Sequence, residues 1–203
     1  MALVTNQPLK WHGGKSYLAA WLHSLAPPSV HDDPEHGYTH RNIAFAGGLG
    51  EVWNWAPVEG ISETVNDVDR RLANFYAVLS DELLADSHER LRRVELRNMP
   101  AADFIRKYDH PRALFYCDPP PMHQTRSSTG EYGANEMTET QHFDLLKLLS
   151  HIKGKFMLSG YPSPMYDGDA KRFGWNCHQR EIDNKASSAK SKQKKIECVW
   201  TNY

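Results

Sequence analysis

Ala113-Leu114-Phe115-Tyr116-Cys117-Asp118-Pro119-Pro120-Pro121 is the stretch whose reading decides the fold: an unbroken apolar run that stops at one carboxylate and three prolines. Apolar and aromatic residues without alternation fit a strand covered on both faces, as in the middle of a parallel sheet. Asp118 then stands at the strand's carboxyl end, the edge at which open α/β sheets bind ligands. The prolines fix φ and remove backbone donors, so Asp118 and the neighbouring carbonyls are presented as acceptors with little freedom to collapse. Such a corner suits a ligand that brings hydrogen-bond donors, an exocyclic amine for example. The same residues fit equally well a strand that ends in an ordinary Pro-rich turn.

Around this strand the chain has 203 residues, 40% of them hydrophobic, enough for one core and a single domain over residues 1–203. Its 24 Lys and Arg against 25 Asp and Glu leave a formal net charge of -1, so no global basic field announces a nucleic-acid partner and any basic patch must be local. Cys117, Cys177 and Cys198 are odd in number, far apart and in no Cys-x-x-Cys arrangement. They read as core residues of a protein in a reducing compartment, with neither a disulfide scaffold nor a zinc site. No apolar signal core opens the chain, and no run approaches the ~20 apolar residues of a membrane helix. A soluble, cytoplasmic protein with no membrane partner and no metal is the expectation.

Upstream of the strand, Leu9-Lys10-Trp11-His12-Gly13-Gly14-Lys15-Ser16 precedes a short amphipathic helix over Tyr17 to Leu25. Gly-Lys-Ser is no P-loop, because the place that must hold the first glycine is Leu9. What remains is a Gly-Gly turn that holds Trp11 and Lys15 together, suited to a ligand with a soft cation or π system and a carboxylate. His31, His36 and His40 with Asp32 and Asp33 have no standard ligand spacing and read as a solvated loop. Asn42 to Gly50 gives a short strand, a glycine-rich turn (Phe45-Ala46-Gly47-Gly48) and a helix starting near Glu51. Glu63 to Asp67 gives a second strand, ending in an acid at about the ~20-residue offset of a ribose-binding carboxylate. Arg70 to Leu84 reads as a helix with Leu72, Phe75, Tyr76 and Leu79 inward, and Val94 to Leu96 as a third strand. Asp103 is placed to reach a ligand or, the favoured reading, to cap the following turn.

Downstream, His123 to Asn135 reads as a polar lid with Arg126 as its cation. Thr138-Glu-Thr-Gln141 is a capping box, opening a helix with Phe143, Leu146 and Leu149 inward and Gly154 as its stop. Lys155 to Tyr161 is another apolar strand with a polar tip, which brings Tyr161 to the edge of Asp118. Cys177 to Asp183 and Ile196 to Thr201 read as closing strands. Between them Lys185, Lys190, Lys192, Lys194 and Lys195 form a cluster suited to phosphates or simply to water.

Lys-Trp-His-Gly-Gly-Lys (10 to 15), Phe-Ala-Gly-Gly (45 to 48), Asn-Asp (66 to 67), Tyr-Cys-Asp-Pro-Pro (116 to 120) and Leu-Ser-Gly-Tyr (158 to 161), in that order, resemble the DNA adenine methylase family in its short phage and prophage form. The resemblance covers nearly the whole chain. It implies an α/β, Rossmann-like methyltransferase fold with a mixed seven-stranded sheet, helices on both faces and the last strand antiparallel. It also implies S-adenosylmethionine as cofactor, DNA as partner, and methylation of the N6 amine of a flipped-out adenine. The cofactor residues would be Trp11, Lys15, Phe45, Ala46, Gly47, Gly48 and Asp67, with Asp103 a further candidate. The catalytic corner would be Asp118, Pro119, Pro120 and Pro121, and DNA would meet Tyr161, Arg126, Lys190, Lys192, Lys194 and Lys195. The chain departs from the family at Ile43-Ala44, where Glu-Pro is usual, and at Pro121, where a Tyr or Phe stacks on the base. The stretch between Asp67 and Asp118 has no room for a large target-recognition insert. Two alternatives stand beside this reading: a degenerate methylase that only binds DNA or cofactor, and a methyltransferase of another amine.

Overall fold

The computed structural model describes residues 9, 14–81, 89–122, 136–183 and 194–203. A 3-10 turn at Ser16–Leu18 leads into α1 (Ala19–Leu25), β1 (His40–Ile43), α2 (Gly50–Asn54), β2 (Ser62–Asn66), α3 (Arg70–Asp81) and β3 (Val94–Arg97). There follow α4 (Ala101–Tyr108), β4 (Ala113–Cys117), α5 (Glu139–Leu149), β5 (Lys155–Gly160), α6 (Pro164–Phe173), β6 (Asn176–Asp183) and β7 (Lys194–Thr201). The strands form one seven-stranded sheet in the order β3-β2-β1-β4-β5-β7-β6. β1 runs parallel to β2 and β4, and β2 to β3, while β7 runs antiparallel to β5 and β6. The fold class is thus the mixed α/β sheet that the resemblance implied. The described residues divide into two compact units, one reaching to Tyr116 and including Ile152–Lys155, the other made of Cys117–His151 and Phe156–Tyr203.

In the first unit, every residue of β4 up to Tyr116 is 0 to 1% exposed, the burial expected of an apolar run without alternation. β1 begins earlier than its apolar residues suggest, because Arg41 and Asn42 are themselves buried. Arg41 faces its register partner Glu63 on β2, and Arg90 closes on the same carboxylate at 2.6 and 2.7 Å. Arg90 also donates to the carbonyls of Val52 and Trp55. Two guanidinium groups around one carboxylate leave a net positive charge in the interior, and the Arg41 guanidinium lies 4.4 Å over the Trp55 ring, whose π face favours a cation. Breaking such a buried group by removing one partner is costly, since it strands an uncompensated charge. On α3, Leu72, Tyr76 and Leu79 are buried as the spacing requires and Phe75 is only partly so. Residues 82–84 of that expected helix lie outside the described residues. Helix α4 was not anticipated, and Asp103 is not a cap: Pro100 occupies the N-cap position and Asp103 stands within the first turn.

In the second unit, the capping box of α5 is present, Thr138 accepting from the Gln141 N–H and Gln141 from the Thr138 N–H. Its inward face is His142, Leu145, Leu146 and Leu149, whereas Phe143 is 47% exposed. Leu146 and Leu149 are thus inward as expected, and the buried His142 takes the place expected for Phe143. The helix also ends before Gly154, with Ser150 as C-cap. Gly154, in the first unit, serves close packing instead, since a Cβ there would stand 2.8 Å from the Ala113 carbonyl oxygen. Helix α6 was likewise not anticipated, although Ser163 caps it by accepting from the Tyr166 N–H, Pro164 starts it, and Gly174 ends it at φ 69. β6 and β7 form the closing hairpin in register from Asn176↔Thr201 to Asp183↔Lys194. Cys117 and Cys198 are core residues, but Cys177 is exposed, because it lies on the polar edge strand β6.

The interior of the first unit generates a pH prediction. His23 packs on Trp55 with ring centroids 4.3 Å apart, and burial together with the Arg41 charge lowers its pKa from 6.5 to about 4. An unfolded chain takes up this proton below its ordinary value while the folded chain resists it down to about 4, so stability falls as pH drops from 6.5 to 4. Replacing His23 with Phe keeps a ring on Trp55 and should flatten that part of the profile, read as urea midpoints against pH. A slope that the substitution leaves unchanged would place the titration in another group.

Candidate functional site

The first unit carries the glycine-rich turn after β1. Gly47 sits at φ 47 and Leu49 at φ 54, so the turn passes twice through left-handed backbone, the second time with a fully buried leucine as N-cap of α2. The turn is fastened from below. The Asp67 carboxylate accepts the Gly47 N–H at 2.9 Å and the Asp69 N–H at 2.8 Å, and the Tyr76 hydroxyl donates to the Gly47 carbonyl at 2.7 Å. Burial pushes the Asp67 carboxyl above its usual range, with these N–H bonds pulling the other way. The Ala46 N–H acts on the carboxylate as well, so three backbone donors converge on a group with roughly four lone-pair sites. Asn66, 1% exposed, ties three segments together, its amide donating to the carbonyls of Ala44 and Met99 and accepting the Met99 N–H.

Lys15 is buried at 7% exposure beside Glu51, itself buried at 6% in the first turn of α2. Burial pushes the Glu51 carboxyl up, and its own backbone N–H, the Lys15 ammonium and the Tyr116 hydroxyl act against that rise. Gly50 allows this packing, since a Cβ there would stand 3.1 Å from the Ser16 nitrogen just after Lys15. Glu51 escaped the sequence reading, although a carboxylate directly after Gly-Leu-Gly and before Val-Trp is out of place on an apolar turn. Phe45 is partly exposed and Ala46 and Gly48 are buried in the same turn, so the structure brings Phe45 to Gly48 together with Asp67. Asp103, in the first turn of α4, is 63% exposed and 3.1 Å from Arg106. Trp11 lies outside the described residues.

The second unit carries the carboxylate corner. Asp118 is partly exposed where Cys117 is fully buried, so it is the first residue after β4 to emerge. Its charge, after burial, helps push the Cys117 thiol up, and with Cys117 it does the same to the Tyr166 hydroxyl. Next to it a shallow cleft is lined by Pro119, Pro121, Met122, Ser159, Gly160, Tyr161 and Tyr166. Pro120 is beside it in sequence and does not line it. The cleft has a firm back wall. Tyr166 is 4% exposed, its hydroxyl 2.8 Å from His142 Nδ1 and its ring 5.0 Å from Trp200. Ser159 donates to Glu197 at 3.0 Å, both fully buried. Tyr161 lies at the rim with the Lys195 ammonium 5.0 Å over its ring, and Lys194 pairs with Glu181. Arg126, Lys185, Lys190 and Lys192 lie outside the described residues. Sequence reasoning found Tyr161 and missed Tyr166, for which Ser163-Pro164 followed by Gly174 was the available signal. Among the described residues no group of three His, Cys, Asp or Glu could hold a metal ion, and no helix is long and apolar enough to cross a membrane.

Sheet order and strand directions define the fold as the Rossmann-like methyltransferase type. The catalytic domain of hMettl16 in complex with a MAT2A 3'UTR hairpin matches with TM-score 0.60 at 11% identity, over 97% of this chain and 73% of that one. The precorrin-6y C5,15-methyltransferase of Geobacter metallireducens GS-15 matches with TM-score 0.56 at 10% identity, over 98% and 93%. The human methyltransferase 10 domain containing protein matches with TM-score 0.56 at 11% identity, over 92% and 81%. At these identities the likeness is one of fold. No protein-family model and no curated protein matches the chain in sequence.

The fastening of the glycine turn is testable without any ligand. Asp67→Asn sets an amide NH₂ against one of the N–H groups that the carboxylate now accepts, and should lower the unfolding free energy by about 1–3 kcal/mol. Urea denaturation of the two proteins measures it, and equal midpoints would show that the turn is held by other contacts.

Proposed function

We propose that the chain is an S-adenosylmethionine-dependent methyltransferase acting on the N6 amine of adenine in DNA. The observation that carries the proposal is the carboxylate at the mouth of a fully buried strand, followed by Pro119 and a narrow, mostly apolar cleft. Bound, the cofactor supplies an electrophilic methyl group on a sulfonium. The residues of the first unit that would hold such a molecule are Asp67, a buried carboxylate for the ribose hydroxyls, the Phe45–Gly48 turn for close backbone approach, and Lys15, with Trp11, as a cation for the methionine carboxylate. Asp103 is retained as a further contact by resemblance alone.

Asp118 and the Pro119 carbonyl accept the two amino hydrogens of the target. That localises on nitrogen a lone pair otherwise delocalised into the purine ring and aims it, so catalysis is mostly positioning and electrostatics. On gaining the methyl group the nitrogen sheds one hydrogen along its contact with Asp118. Pro120 and Pro121 stiffen the corner. DNA phosphates meet the lysines of the closing hairpin, Lys190, Lys192, Lys194 and Lys195, with Arg126 from the stretch after the corner.

Pro121 favours one second reading, a degenerate domain that binds cofactor or nucleic acid without turnover, because the aromatic usual at that place is absent. The hairpin RNA bound to hMettl16 makes RNA the comparison substrate. The test is tritium transfer from labelled cofactor to unmethylated duplex DNA and, in parallel, to RNA. Asp118→Ala should cut transfer by about 10²–10³-fold and leave calorimetric cofactor affinity intact. An undiminished rate would remove Asp118 from the chemistry, and cofactor binding by a wild type that transfers nothing would favour the degenerate reading.

The lysine assignment has its own readout. Replacing Lys190, Lys192, Lys194 and Lys195 with Gln should weaken DNA binding evenly over sequences. Each lost phosphate contact should flatten the slope of log affinity against log salt by about 0.9. An unaltered slope would make the hairpin end a solvated surface.

A further inference from the structure

We infer that Tyr161 is the aromatic platform on which the target base stacks, in place of the ring that position 121 does not supply. This rests on the methyltransferase reading above and adds to it the receptor for the substrate's flat face. A base drawn out of a duplex gives up stacking worth a few kcal/mol, and the pocket that receives it normally restores a stack. Of the described residues lining the cleft beside Asp118, two carry aromatic rings. Tyr166 is closed in: 4% exposed, with its hydroxyl held by His142 and its ring against Trp200. Pro121 lines the cleft without a π face. Tyr161 is different, being partly exposed at the rim, directly after the last residue of β5, and therefore carried by a rigid strand end. The Lys195 ammonium lies 5.0 Å over its ring. It puts a cation beside the ring, a partner for a nucleotide's phosphate. A ring just past the end of β5 and a cation on the neighbouring β7 form the pairing of stacking face and positive charge that single nucleotides are held by. The ligand class is a planar nitrogen heterocycle with an exocyclic amine, attached to a phosphodiester backbone.

The test uses the full chain and two probes. In tritium transfer to unmethylated duplex DNA, Tyr161→Leu should raise the apparent KM for DNA by about 5- to 150-fold, the range that one base–aromatic stack is worth. The KM for cofactor should stay unchanged. Tyr161→Phe should recover most of the loss because it keeps the ring, and Pro121→Tyr placed on Tyr161→Leu should recover part of it. Single-stranded oligonucleotides with 2-aminopurine in place of adenine give a readout independent of turnover: wild type should quench the probe's fluorescence by stacking and Tyr161→Leu should not. Equal DNA constants for wild type and Tyr161→Leu, or quenching that survives the substitution, would overturn the assignment while leaving the methyltransferase reading in place. Tyr161-dependent quenching by a wild type that transfers no methyl group would uphold the platform and remove the reaction. Absence of both quenching and transfer would remove both. Thermal melts matching wild type certify the variants, since Tyr161 is only partly buried.

Discussion

A carboxylate cannot remain inside a strand whose neighbours are all apolar, because an ionised group loses far more in solvation than such surroundings return. β4 meets this constraint at its last residue. Cys117 is sealed and Asp118 emerges, and the three prolines prevent the chain from folding back over the charge. The rest of the second unit follows from that exit. β5 ends where it can present Ser159, Gly160 and Tyr161 to the same cleft, and α6 turns back to set Tyr166 behind it. His142 and Glu197 are buried polar groups that each bond a residue lining the cleft, Tyr166 and Ser159.

The first unit solves a different problem, that of holding a glycine-rich turn still. Glycine lets backbone approach a ligand and adds freedom that has to be removed again. Here three side chains remove it: Asp67 and Tyr76 grip Gly47 at its N–H and its carbonyl, and Asn66 binds the start of the turn to the loop after β3. None of these groups stands in a flexible segment, as Asn66 ends β2, Asp67 follows it and Tyr76 is on α3. The Arg41–Glu63–Arg90 group lies deeper and fixes β1 to β2 through charge, which leaves little tolerance for register error, because a slip of one residue would bury both guanidinium groups without their carboxylate.

What the sequence disclosed follows from the kind of signal each element carries. Unbroken apolar runs found β4 and β5, the glycine turn and the acid after it found the ends of β1 and β2, and a capping box found α5. Helices α4 and α6 went unseen because they are short and their inward residues are few, only Phe104 and Ile105 in one and Tyr166 and Ala170 in the other being buried. Phe143 was misplaced for a related reason: at 3.6 residues per turn, a stripe is ambiguous by one residue when a histidine takes an inward place. Glu51 and Glu197 were invisible because a carboxylate is presumed outside unless its partners are known, and those partners, Lys15 and Ser159, are remote in sequence. Asp118 was legible because it had no need of a partner to be noticed.

Leu49 gives the turn a property that glycine would not. An L-residue in the left-handed region costs about 1–2 kcal/mol, a cost comparable to what burying its side chain contributes. With φ 54 and no exposed surface, Leu49 keeps this backbone only while α2 stays packed. The left-handed turn and the seating of α2 are thus linked in energy, and a change that loosens α2 weakens the turn as well, against the hold of Asp67 and Tyr76 on Gly47.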